Sequence, residues 1–336
     1  MSTARTRPAA HAGSWYTSDP SELRSQLTTW LAAAAPSTPP PAAARIIITP
    51  HAGFSYSGPS AAHAYANLAL TPKTSRIFIL GPSHHLYLSS LALSTYTHYA
   101  TPLGSLQLDT ETLKQLHSLG DFQWMQPHTD SAEHSIEMQL PFLHHLLATQ
   151  DLLEKVKIVP IMVGGISARK EKMYGEKLAP WLRDPENVFV VSSDFCHWGV
   201  RFSYTHFYTP ELPVAGGQEF PRSVSLGRGD EETVRVAGHE VWESVEALDR
   251  VGMRVVEGGS HEEWAEYCRI TGNTVCGRHP IGVVMAGVET VVGVGRVREG
   301  RGKVRWVWYE QSSKVRGIQD SSVSYGSGVA VLEGEE

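Results

Sequence analysis

Residues 45–53 read Arg45-Ile46-Ile47-Ile48-Thr49-Pro50-His51-Ala52-Gly53, a short β-branched run that ends in Pro, His and Gly. Isoleucine and threonine favour a strand, and an uninterrupted apolar run suits a strand buried on both faces. The pattern recurs along the chain. Arg76–Leu80 precedes Gly81-Pro82-Ser83-His84-His85, and Val156–Val163 precedes Gly164-Gly165. Asn187–Val191 precedes Ser192-Ser193-Asp194-Phe195-Cys196-His197-Trp198-Gly199. Between these runs, segments at roughly 59–68, 109–119, 134–148 and 168–182 predict helices. Buried strands alternating with helices predict an α/β fold: a single domain with a mixed central sheet flanked by helices. In such sheets function gathers at the carboxyl ends of the strands. Three of these four strand ends carry histidine.

Outside this frame, Asp19 and Pro20 start a predicted helix over 20–34, with Leu23, Leu27, Trp30 and Leu31 on one face. Residues 36–44 are a Pro/Ala-rich connection. Residues 208–240 carry turn chemistry with little periodicity, and predict an exposed, flexible insertion. Helices resume at about 239–250, 260–269 and 280–291. Two late strands follow, Lys303–Glu310 with Val304, Trp306 and Trp308 on one face, and Ser322–Leu332. One domain of 336 residues is expected, ordered from about 8 to 332.

The composition narrows the function. Lys plus Arg is 29 against 35 Asp plus Glu, a net charge of −6. A nucleic-acid protein would carry a basic excess, so no nucleic-acid partner is expected. No apolar run reaches the roughly 18 residues a membrane span needs. The three cysteines, Cys196, Cys268 and Cys276, are too few and too odd in number for a disulfide framework. They fit a reducing compartment, the cytoplasm, with the nucleus also open. There is no Walker loop, no Gly-x-Gly-x-x-Gly after a strand and no Gly-x-Ser-x-Gly elbow.

The strongest candidate site is a metal centre. His51 and His84 each follow a predicted buried strand, and neighbouring strands lie about 5 Å apart. Cys276, in a loop before the Pro280 helix, is the third candidate ligand. A helix N-terminus and Arg278 would lower its pKa. Two imidazoles and a thiolate suit zinc, iron or copper rather than magnesium or calcium. The alternative is that both histidines are satisfied core residues and the thiol a small hydrophobe. Asp194 and His197 read either as an acid/base pair or as a turn cap and its partner. In the run Thr129-Asp130-Ser131-Ala132-Glu133-His134-Ser135-Ile136-Glu137, His134 and Glu137 share a helix face. They read as supporting residues, or Asp130 with Glu133 simply starts the helix. Trp15, Tyr16, Tyr56 and Trp198 read as pocket aromatics or as ordinary core.

Seven of these stretches resemble the Memo family (mediator of ErbB-driven cell motility), in the family's order from residue 11 to about 330. They are His11–Tyr16, Pro50–Gly53, Gly81–His85, Glu133–Met138, Ser192–Gly199, Cys276–Gly282 and Gln319–Tyr325. The resemblance implies a fold similar to the class III extradiol dioxygenases, which are non-haem iron enzymes. It implies an iron or copper ion at His51, His84 and Cys276, with Asp194 and His197 beside it. It also implies redox control, and an adaptor role in which a phosphotyrosine peptide docks around the same pocket. Trp15, Tyr16, Tyr56, His134, Glu137 and Trp198 are then the pocket and peptide-binding residues.

Cys276 stands where a ring-cleaving dioxygenase has a carboxylate; a thiolate is softer, favours copper and is itself oxidisable. The leading expectation is therefore a metal-binding protein of metal or redox homeostasis and of motility or growth signalling. A second is a non-enzymatic adaptor for a peptide or phosphopeptide. A third is an oxygenase on a small aromatic diol, with His197 as acid/base and Asp194 its orienter.

Overall fold

The computed structural model describes residues 5–35, 44–208, 223–227, 234, 237–293 and 302–332. Its strands, in chain order, are β1 (Thr6–Arg7), β2 (Ile46–Thr49), β3 (Arg76–Pro82), β4 (Leu91–Leu93), β5 (His98–Thr101), β6 (Gly104–Gln107) and β7 (Phe122–Trp124). They continue with β8 (Lys157–Val163), β9 (Asn187–Ser192), β10 (His197–Trp198), β11 (His206–Tyr208), β12 (Ser223–Ser225), β13 (Val304–Gln311) and β14 (Ser322–Ala330).

Among the described residues the main sheet has nine strands, and its centre runs β2, β9, β3, β8, all parallel. These are the four runs that the apolar pattern singled out. Ile77–Leu80 and Val188–Val191 are buried throughout, as strands covered on both faces must be. On one margin β14 pairs antiparallel with β2, and β13 and β10 pair antiparallel with β14. On the other, β4 runs antiparallel to β8 and carries β7 parallel to itself. The sheet is thus mixed and the chain a single α/β domain. Helices Ala168–Arg183 and Arg278–Val292 pack on each other and on β9, while helix Phe54–Tyr65 packs on β2, β13 and β14.

Three expectations shift. The helix predicted from 59 begins at Phe54, directly after Gly53, and carries Pro59 inside it. The single helix predicted over 134–148 is two, His134–Glu137 and Leu140–Thr149. Pro141 explains the break: it lacks an N–H for the preceding turn and sits in the first turn of the second helix. Trp306 and Trp308 do not share a face, because a β-bulge between them shifts the register. Val304 is consequently buried while Trp308 is exposed. Of the expected insertion at 208–240, residues 209–222, 228–233 and 235–236 lie outside the described residues. The described part is anchored: β12 pairs with β11, and His239 Nε2 bonds the Tyr208 carbonyl. The 36–44 connection also lies outside them, except for the buried Ala44. Among the described residues no helix is long and apolar enough to cross a membrane.

Candidate metal centre

Three strands deliver their chemistry at the same offset. His51 stands two residues past β2, His84 two past β3 and Asp194 two past β9. Because β2, β9 and β3 are adjacent and parallel, equal offsets bring the three side chains to one end of the sheet. Cys276 arrives from the loop before helix Arg278–Val292. Gly277 lets that loop close: a Cβ there would collide with the Ser193 side chain, and its N–H donates to Ser193 Oγ at 3.1 Å. The Asp194 N–H then donates to Cys276 Sγ at 3.1 Å, and Sγ lies 3.1 Å from His51 Nε2.

The hydrogen bonds assign the ring protons. Ser192 Oγ donates to the Ser135 carbonyl (2.7 Å) and receives Gln139 Nε2 (2.9 Å), so towards His51 Nδ1 (2.7 Å) it must accept. His84 Nδ1 faces the Glu133 carboxylate at 2.8 Å, and a carboxylate only accepts. His197 Nδ1 faces two carbonyls, of Phe195 (2.9 Å) and Thr274 (3.0 Å). All three imidazoles therefore carry the proton on Nδ1 and keep a lone pair on Nε2, which on His51 faces the Cys276 thiol. Histidines that bind metals are held in this way by partners behind them. The donor atoms of His51, His84 and Cys276 lie within 4.8 Å of one another, as do those of Asp194, His197 and Cys276, and of His84, Glu133 and His134. The donor set thus fits a borderline or soft ion held by nitrogen and sulfur.

Electrostatics agree with neutral imidazoles at His51 and His134. Burial, and then His84, hold the His51 pKa well below the ordinary value. Burial, with His51 and His84, brings His134 down to about 2. Burial would raise Glu133, but its bonds from the His84 ring and backbone N–H outweigh that and hold it low. Cys276 departs from the sequence expectation. Burial, then the neighbouring Asp194, push its thiol well up. Arg278 does not lower it, because that side chain is exposed and its Nε donates to His279. Without an ion the thiol stays protonated, and a cation would have to displace that proton.

The remaining candidates divide. Trp15 lies tilted against His134 (4.3 Å between ring centroids), and His134 stacks on His84 (4.3 Å). Trp15 and Tyr56 are exposed. Tyr16, Glu137 and Trp198 instead sit inside the fold rather than at an accessible surface. Tyr16 OH donates to Glu137 Oε1 (2.9 Å), Arg7 Nη1 to Glu137 Oε2 (2.6 Å), and Trp198 Nε1 to the His206 carbonyl (2.9 Å). Those three are framework. Cys196 is buried, as a packing cysteine should be.

Sequence reasoning missed three supports. Glu133 does start a helix, accepting from Ser135 N, but it also clamps His84. Ser192 orients His51, and Thr274 orients His197. Two of these stood next to residues already singled out, since Ser192 ends β9 and Glu133 precedes His134.

The family model described as Memo-like protein matches residues 7–329. MEMO1 family protein MHO1 of Saccharomyces cerevisiae is 40% identical, covering 97% of this chain and 99% of its own length. Protein MEMO1 of Xenopus tropicalis is 40% identical (98% of each chain), and that of Homo sapiens 39% (97% of each). A solved structure of an uncharacterized protein from Escherichia coli K12 is 11% identical with a TM-score of 0.48, covering 85% of this chain and 99% of that one. Matched along nearly its full length by family model and relatives alike, the chain belongs to the Memo family.

Proposed function

We propose that this chain binds one redox-active transition ion, iron or copper, through His51, His84 and Cys276. Its role in the cell would be metal or redox homeostasis, tied to motility or growth signalling and exercised in the cytoplasm. The observation that carries the reading is the commitment of each imidazole Nδ1 to an acceptor, which leaves Nε2 lone pairs close to a thiol. A thiolate with two imidazoles favours such ions over magnesium or calcium. When bound, the ion would supply one-electron exchange. The protein's own part is to hold the donors, stack His134 on the His84 ring, and keep Asp194 and His197 beside the thiol. His197 Nε2 is the candidate proton acceptor there, with Asp194 the neighbouring carboxyl. Ring cleavage of an aromatic diol is disfavoured, since a thiol holds the third position. Cys276→Ser is expected to lower Fe(II) or Cu(I) affinity at least about tenfold in anaerobic chelator competition. Unchanged affinity would remove Cys276 from the ligand set.

The exposure of Trp15 and Tyr56 favours a second reading, a rim that docks a peptide or phosphopeptide. Under it, Trp15→Ala or Tyr56→Ala weakens binding of a phosphotyrosine peptide about tenfold, while chelation and His84→Ala leave it intact.

A further inference from the structure

Asp249 is fully buried in helix Val241–Gly258 and is not among the candidate ligands above. Its hydrogen-bond partners are neutral: Oδ1 accepts the Cys196 N–H (3.3 Å) and Asn273 Nδ2 (2.9 Å), and Oδ2 accepts the Tyr309 hydroxyl (3.0 Å). A buried carboxylate without a cation is costly to keep, and an apolar residue of similar volume would be cheaper. What it gathers is therefore informative.

Cys196 lies between Asp194 and His197. Asn273 leads directly into Thr274 and, three residues on, Cys276. Thr274 in turn receives His197: its Oγ1 accepts the His197 N–H (2.7 Å) and its carbonyl faces His197 Nδ1 (3.0 Å). The two segments 194–197 and 273–276 are far apart in sequence, and one oxygen of Asp249 holds both. Asn273 is fixed further by the Tyr267 hydroxyl (2.7 Å), which donates to the Leu248 carbonyl (3.0 Å) in the helix of Asp249. The Asn273 end of the bridge is thus tied back to the helix that carries Asp249.

We propose that Asp249 is a positioning residue: its Oδ1 fixes the spacing between the Asp194–His197 turn and the Asn273–Cys276 turn, and so sets where Sγ stands against His51 and Asp194. The consequence for metal affinity rests on the function proposed above; the consequence for the thiol itself does not.

The test is a double-mutant cycle read two ways. Asp249→Ala removes the acceptor, and Asp249→Asn keeps Oδ1 and serves as the conservative rescue. Asn273→Ala breaks the other end of the bridge and replaces Asp249→Ala should that variant fail to fold by circular dichroism. Anaerobic Cu(I) affinity is expected to fall about tenfold in Asp249→Ala or Asn273→Ala, to recover in Asp249→Asn, and to fall less than about twofold when Cys276→Ser is already present. The same loss in the presence and absence of Cys276→Ser would mean a general structural role and would overturn the proposal. Iodoacetamide labelling of Cys276 in metal-free protein, followed by peptide mass, reads the second way. Its rate should change at least about threefold in the bridge variants and return towards wild type in Asp249→Asn. An unchanged rate overturns the proposal even if no metal binds at all. Wild-type protein that binds Cu(I) no better than His51→Ala would instead defeat the metal reading, and the labelling rate would still decide the role of Asp249.

Discussion

Glu133 grips His84 at two points: Oε2 accepts the His84 backbone N–H at 2.7 Å and Oε1 accepts the ring Nδ1–H at 2.8 Å. The ring cannot rotate without losing a charge-assisted bond, and the carboxylate makes Nε2 a better donor to a cation. Glu133→Gln keeps the shape but weakens that bond. It is expected to lower Fe(II) or Cu(I) affinity about 10–100-fold, measured by chelator competition. No change would separate His84 from the ligand set.

Arg7 holds the same segment from behind. Its side chain is buried, with Nη1 on Glu137 Oε2 (2.6 Å), Nε on Asp130 Oδ1 (3.2 Å) and Nη2 on the Glu133 carbonyl (2.7 Å). Arg7→Met leaves two buried carboxylates without their cation. Breaking a buried pair in this way typically costs about 3–5 kcal/mol. Urea unfolding should show a loss of that size, and a loss under about 1 kcal/mol would mean the network relaxes freely.

The parallel centre was legible because continuous apolar runs mark strands covered on both faces, and the histidines at their ends were visible as strand-end residues. The antiparallel strands β4 and β7 were not. Each has only three residues, too short for a period to register. Of the site, His51, His84, Cys276, Asp194 and His197 could be singled out one by one. Their common geometry could not, because it depends on the register of β2, β9 and β3. Arg7 could not be singled out, since no local pattern says that a charge will be buried against residues more than a hundred positions away.

Asp249 gives a pH dependence with a definite sign. Burial, opposed by bonds from Asn273, Ser324, Tyr309 and Cys196, raises its carboxyl from 3.8 to about 6. The folded state therefore binds a proton that the unfolded chain has lost between those values, and stability falls as pH rises through that window. The shift corresponds to a destabilisation of roughly 3 kcal/mol, fully present above the folded pKa and absent below the unfolded one. Glu133, Glu137 and Glu171 are all held low and act the other way, favouring the fold until acid protonates them. The contribution of Asp249 is accordingly read as a difference. Wild type minus Asp249→Asn, by urea unfolding between pH 4 and pH 7, should lose stability with rising pH. A flat difference would show that Asp249 does not titrate there.

The metal centre is tested most directly by elemental analysis of protein purified anaerobically and reloaded with Fe(II) or Cu(I), beside His51→Ala and Cys276→Ser. The account predicts near-stoichiometric iron or copper in the wild type and its loss in both variants. Wild-type protein that holds neither ion, or variants that retain it fully, would contradict it.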